Sequence, residues 1–154
     1  MAVEIERKFL IADRVPFHDT PPLKVRQGYL VRGDVEEARI RQEGDVYSLT
    51  VKKGIGLARE EFEVVIDSRR FDVLWPATEG ARVTKTRRLL ALESGHVACV
   101  DEFEGHLEGL VTVEVEFGSK EAALAFAPPS WFGLEVTGVR GYANSVLCTQ
   151  GVPK

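Results

Sequence analysis

Two carboxylates and an ammonium fall on alternate positions near the start of the sequence. Residues 3–9 read VEIERKF, so Glu4, Glu6 and Lys8 share one side of an extended segment, and Val3, Ile5, Arg7 and Phe9 share the other. That division follows from the alternation of side chains along a strand. The spacing recurs downstream. Glu61 and Glu63 form a second E-x-E pair on the same side as Arg59, and Glu114 and Glu116 form a third beside Thr112. Cations take the matching form, Arg39 with Arg41 and Lys85 with Arg87, while Lys52 shares a face with Ser48 and Thr50.

Taken one strand at a time, such faces suit water, because half-buried antiparallel strands alternate in this way. Taken as a set, they are segregated by sign, whereas a surface selected for solubility mixes signs along each strand. The second reading turns the charged faces inward. Carboxylates two residues apart on a strand lie ~7 Å apart. A second pair on a neighbouring strand brings oxygens within ~4 Å, where like charges repel by ~4 kcal/mol at an effective dielectric near 20. Protons or divalent cations must then occupy the cluster. Oxygen-only donors select hard ions such as Mg²⁺ or Mn²⁺. The arginine and lysine pairs call for a polyanion, since guanidinium forks match phosphate oxygens and an ammonium acts as a point charge.

The elements that must position these groups are mostly strands. Period-two alternation predicts eight of them, at residues 3–11, 23–31, 37–42, 46–52, 59–66, 82–90, 96–103 and 110–117. Short Gly- or Asp-containing links such as QEGD, KKGIGLA and ESGH favour antiparallel neighbours. The Pro-rich HDTPPLK, residues 18–24, reads as a loop. Phe71, Leu74 and Trp75 predict a helix capped by Asp67 or Ser68 and stopped by Pro76. A second opens on Ser119, carries Ala122, Leu124, Ala125 and Phe126, and ends at Pro128; a third follows Asn144. The fold class is therefore α+β, with an eight-stranded antiparallel barrel that closes to remove its edges and a few peripheral helices.

At 154 residues the chain suits one domain, residues 1–154. Acidic groups outnumber basic ones, 24 to 20, which argues against bulk nucleic-acid binding but not against a local anion site. No run approaches ~18 apolar residues, so no membrane partner is expected. Cys99 and Cys148 lie far apart and the first residues are not those of a signal peptide, so the expected location is the cytoplasm. His18, His96 and His106 show no metal-ligand spacing and are expected at the surface or in the core. Trp75 and Trp131 are expected in the core, and the oligomeric state stays open, a homodimer included.

The segment EIERKFL resembles the E-x-E-x-K signature of the CYTH superfamily, the triphosphate tunnel metalloenzymes. The resemblance continues in order through RQGYL, ARIRQ, LTVK, REEFEV, LWPATEGARVTKTR, VDEFEGHL, VEVEF and PPSWFGLEVTGVRGYANSVL, nearly the whole chain, and is strongest to short bacterial members. It implies a barrel with a charged tunnel and metal-dependent chemistry on triphosphate compounds. Carried over by position, Glu4, Glu6, Glu61, Glu63, Asp101, Glu114 and Glu116 are the metal-site carboxylates, for two Mg²⁺ or Mn²⁺ ions. Lys8, Tyr29, Arg39, Arg41, Lys52, Arg59, Lys85, Arg87 and Arg140 are the substrate contacts. The family often reads Lys-Arg-Tyr-x-Asn near its C-terminus, where this chain has Arg140-Gly141-Tyr142-Ala143-Asn144 and so lacks one cation.

The expected activity is metal-assisted hydrolysis of inorganic triphosphate, an all-charge substrate that needs no base pocket. Lys8 or Lys85 would steady the leaving phosphate, and a glutamate, with Glu63 as the candidate, would position the water. The rivals are an adenylyl cyclase or a thiamine or nucleoside triphosphatase on the same scaffold, a non-catalytic polyphosphate binder, and a barrel whose charges face water.

Overall fold

The computed structural model describes residues 2–17 and 19–154; His18 lies outside them. Nine strands run in chain order: β1 (Ala2–Ile11), β2 (Leu23–Arg32), β3 (Glu36–Glu43), β4 (Val46–Lys53), β5 (Ala58–Ile66), β6 (Arg82–Ala91), β7 (Val97–Phe103), β8 (Val111–Phe117) and β9 (Phe132–Glu135). The helices are α1 (Ser68–Leu74), α2 (Lys120–Ala125) and α3 (Asn144–Gln150). Every pairing is antiparallel, in the order β5-β4-β3-β2-β6-β7-β8-β1, and a further β1–β5 pairing closes the ring. The expected eight-stranded barrel is thus observed, strand for strand.

Closure depends on β1. It pairs with β8 from Ile5 to Leu10 and with β5 only from Ala2 to Ile5. Where β5 departs, β9 takes over against Phe9 and Ile11. Sequence reasoning did not foresee β9, because four residues after a Pro-Pro pair carry too little alternation to register.

A small barrel ordinarily fills its interior with apolar side chains. Here much of the interior is charged; one apolar cluster looks outward and is covered from outside, and a second lies on the inner face. Ile5, Phe9, Val113, Val115 and Phe117 pack beneath Ala123 of α2, Phe126 and Phe132 of β9. On the inner face Tyr29, Val83 and Phe103, opposite Arg39, Gln27 and Lys85, pack with Leu107 against Leu147 and Cys148 of α3. Part of the wall stays uncovered, with Phe62 and Val64 of β5 exposed to 52% and 40%.

The helices form where their caps allow. Asp67 accepts the Arg70 amide at 2.7 Å to start α1, and Ser119 accepts the Ala122 amide at 3.1 Å to start α2. Pro76 does not end the first helix abruptly. The α-helix stops at Leu74 and tightens into a 3-10 turn over Trp75–Thr78. Phe71 is fully buried between Tyr47 and Trp75, and the Arg26 and Arg82 guanidinium groups lie over the Trp75 ring at 4.9 and 4.3 Å. Trp131 is half-buried against Phe132. Neither tryptophan lines the tunnel.

Candidate active site

A cavity of about 850 Å³ runs through the barrel. All eight strands of the closed ring line it, and fifteen expected residues do so: Glu4, Glu6, Lys8, Tyr29, Arg39, Arg41, Lys52, Arg59, Glu61, Glu63, Lys85, Arg87, Glu114, Glu116 and Arg140. Register explains the convergence. Lys8 stands opposite Glu114, Glu6 opposite Glu116, Lys52 opposite Glu61 and Thr50 opposite Glu63. Depth sorts the charges. Lys8, Arg39, Lys52, Lys85 and Arg87 are buried, whereas Glu63 and Glu116 are exposed.

Cations and carboxylates hold one another across the tunnel. Lys52 Nζ donates to Glu4 Oε1 at 2.7 Å, Lys8 Nζ lies 3.5 Å from Glu114 Oε1, and Arg59 lies 3.2 Å from Glu37. Lys8 also donates to the Tyr142 carbonyl at 2.6 Å, and Lys85 to Asn144 Oδ1 at 3.3 Å, so residues flanking the start of α3 cap the cation-rich end. Thr50 Oγ1 donates to Glu63 at 3.2 Å.

Asp101 departs from expectation. It is 1% exposed, does not line the cavity, and gives both oxygens to cations. Arg87 donates to Oδ1 at 2.8 Å and to Oδ2 at 2.9 Å, and Lys85 Nζ lies 2.7 Å from Oδ2. The family resemblance put Asp101 among the metal-site carboxylates, but register sets it directly opposite Arg87. It stands here as the counter-ion of two cations. Lys85 and Arg87 hold its carboxyl below the ordinary range against the opposing push of burial.

Arg140 stands at the rim, where it pairs with Asp34 at 2.7 Å. At neighbouring Gly141 a Cβ would meet the Pro153 side chain at 3.1 Å, so the chain's tail packs where the family often carries a basic side chain.

The electrostatics divide along the same lines. Burial pulls the Lys85 ammonium down to about 8, helped by Arg87 and Arg41 and opposed by Asp101. Burial, Arg39 and Arg87 pull Arg41 down to about 10. Among the carboxylates, burial and the charges of Glu114 and Glu4 push Glu6 up to about 8. Burial and the Glu4 carboxylate push Glu61 up to about 7. Glu114 is held low against burial by Lys8, Lys85 and Arg87, and Glu4 is held low against burial by Glu61 and Lys52. Within each pair the two carboxyls are driven apart, Glu6 up and Glu114 down, Glu61 up and Glu4 down.

Among the described residues no three carboxylates already close on a single point. The donor chemistry nonetheless fits a hard divalent cation. These are oxygen-only groups that need positive charge between them and keep protons to supply it.

Sequence reasoning missed Glu37 and Glu43, which accept from tunnel arginines, and also Gln27 and Asn144. Glu37 was within reach, since it shares the face of Arg39 and Arg41. Asn144 was not, because no strand pattern extends to it.

Fold and site together define a class, closed antiparallel barrels with a charged tunnel. No protein-family model matches the chain. An inorganic triphosphatase of Nitrosomonas europaea is 50% identical over 145 residues, covering 94% of this chain and 95% of that protein. An inorganic triphosphatase of Acetivibrio thermocellus is 35% identical over 149 residues, covering 96% and 94%. A crystal structure of an inorganic triphosphatase superposes with a TM-score of 0.72 at 45% identity, covering 99% of both chains. The chain belongs to the CYTH superfamily, the triphosphate tunnel metalloenzymes.

Proposed function

We propose that the chain hydrolyses inorganic triphosphate to pyrophosphate and orthophosphate inside the tunnel, with Mg²⁺ or Mn²⁺ as cofactor. One observation carries the reading. Five buried cations, Lys8, Arg39, Lys52, Lys85 and Arg87, face one cavity together with three E-x-E pairs. A chain half identical to an inorganic triphosphatase over nearly its whole length makes that substrate the natural choice.

The residues divide the work. Arg39, Arg41, Arg59 and Arg87 bind phosphate oxygens, and the unpaired Arg39 and Arg59 Nε groups are buried donors that await an acceptor. Lys8 and Lys85 stabilise charge that develops on the leaving phosphate. Glu63, held by Thr50 at the exposed end, orients a water for attack. Glu4, Glu6, Glu61, Glu114 and Glu116 would hold the divalent ions, which neutralise phosphate oxygens and acidify a bound water when present. The free cysteines, Cys99 and Cys148, support a reducing compartment, the cytoplasm.

The test is phosphate release from inorganic triphosphate, pyrophosphate, ATP and thiamine triphosphate, with Mg²⁺, Mn²⁺ or EDTA. The reading expects inorganic triphosphate to turn over fastest and EDTA to abolish release. A cyclic nucleotide product from ATP, or tight triphosphate binding without turnover, overturns it.

A further inference from the structure

Gln27 is fully buried on β2, outside the cavity wall, and its amide joins two tunnel residues. Its Oε1 accepts from Arg41 Nε at 3.1 Å, and its Nε2 lies 2.9 Å from the Tyr29 hydroxyl. The chemistry of the groups fixes the direction of both bonds. A guanidinium only donates, so the amide oxygen must face Arg41. The amide NH₂ must then face Tyr29, and since it too only donates, the phenol oxygen accepts. The Tyr29 hydrogen is thereby turned away from Gln27.

No hydrogen bond donated by the Tyr29 hydroxyl is found among the described residues. The charged groups around the phenol are Arg39 and Arg41, which are donors, and Glu37, which Arg59 engages at 3.2 Å. Burial keeps the phenol protonated. Tyr29 lines the cavity while only 3% exposed, so its hydroxyl presents a neutral, pre-aimed O–H inside the tunnel.

We propose that Gln27 is a positioning residue, which fixes the Arg41 guanidinium and turns the Tyr29 hydroxyl so that it donates to a phosphate oxygen of the bound triphosphate. The inference rests on the triphosphatase reading and extends it to a residue that does not touch substrate. Only an amide of this length serves both neighbours. A carboxylate at this position would keep Arg41 but accept the Tyr29 hydrogen itself. A methionine would release both.

The experiment measures inorganic triphosphate binding in EDTA by calorimetry for wild type, Gln27→Met, Tyr29→Phe and the double variant. Gln27→Glu and Gln27→Glu/Tyr29→Phe complete the set, and thermal melting checks each fold. One directed hydrogen bond to a charged ligand predicts about a tenfold loss for Gln27→Met and for Tyr29→Phe. The double variant should stay within about threefold of the weaker single, because both changes remove the same bond. In turnover, Gln27→Met should raise KM with kcat nearly unchanged, which general loosening of the barrel would not do. If Gln27→Met melts early, the Gln27→Glu pair decides, with the loss absent from Tyr29→Phe/Gln27→Glu relative to Gln27→Glu alone. Wild-type affinity in Gln27→Met or Gln27→Glu, or losses that multiply in full, overturns the positioning role alone. A wild type that binds no triphosphate overturns the functional reading with it.

Discussion

Lys52 and Glu4 face each other across the tunnel at 2.7 Å, a cation suited to phosphate holding a carboxylate suited to metal. Lys8 and Glu114 repeat the relationship at 3.5 Å. Each wall thus neutralises the other, and a guest must exchange these partners. Buried pairs of this kind cost much to desolvate, so their net stabilisation is small and the exchange is within reach of a ligand.

Glu4→Gln should therefore split two properties. Freed from its carboxylate, Lys52 should bind inorganic triphosphate about three- to tenfold more tightly in EDTA. Metal-dependent hydrolysis should fall by about a hundredfold or more if Glu4 holds the ion as proposed. Calorimetry and phosphate release read the two effects separately. Unchanged affinity in EDTA would mean that Glu4 does not restrain Lys52.

The raised carboxyls set a pH dependence. Glu61 near 7 and Glu6 near 8 bind protons in the folded state that they release near 4.5 when unfolded. Their contribution to stability is fully present below pH 4.5 and is lost as pH rises through 7 and 8. The melting temperature in EDTA should fall between pH 6 and pH 8. Mg²⁺ should raise it more at pH 8 than at pH 6, because fewer protons must leave. A melting temperature that climbs across this window in EDTA would contradict the assignment.

Asp101→Asn separates a counter-ion from a metal ligand. It leaves Lys85 and Arg87 buried without their carboxylate, which costs about 3–5 kcal/mol for a fully buried pair. Stability should drop and KM for triphosphate should rise. The Mg²⁺ concentration that gives half-maximal activity should stay where it is. A large shift in that concentration would restore Asp101 to the metal site.

Arg7→Met tests the outer side of β1. The Arg7 guanidinium bonds Glu135 twice, at 2.9 and 2.7 Å, and the Ala123 and Phe126 carbonyls at 2.8 and 3.0 Å. It pins β9 and the end of α2 to the barrel. Losing the charged bonds to Glu135 and the guanidinium donor to the Ala123 and Phe126 carbonyls should cost about 2–3 kcal/mol in denaturant unfolding. Activity at low temperature should persist, since Arg7 points away from the tunnel.

The strands were legible because a barrel with a charged lumen exaggerates alternation, with apolar residues on one face and full charges on the other. That rule put Glu4, Glu6 and Lys8 on one face, and the family resemblance turned that face inward. What alternation cannot express is register. Asp101 carried the right parity, yet only its pairing opposite Arg87 shows that its oxygens are already taken. Gln27 had the same parity and was passed over because an amide carries no charge to mark it. Residues 132–144 were illegible for another reason, since β9 and the approach to α3 are short and owe their shape to what they pack against.

The strand that opens the sequence is also the one that waits longest. Arg7 meets Glu135 only 128 residues later, and β1 needs β5, β8 and β9 to complete its edges. At roughly 5–20 residues per second on a ribosome, that is a delay on the order of ten seconds. Until β8 is made, at residues 111–117, β1 has no native partner beyond β5. Its alternating Glu4, Glu6 and Lys8 then act as gatekeepers against mispairing, keeping a nascent edge soluble until the ring can shut.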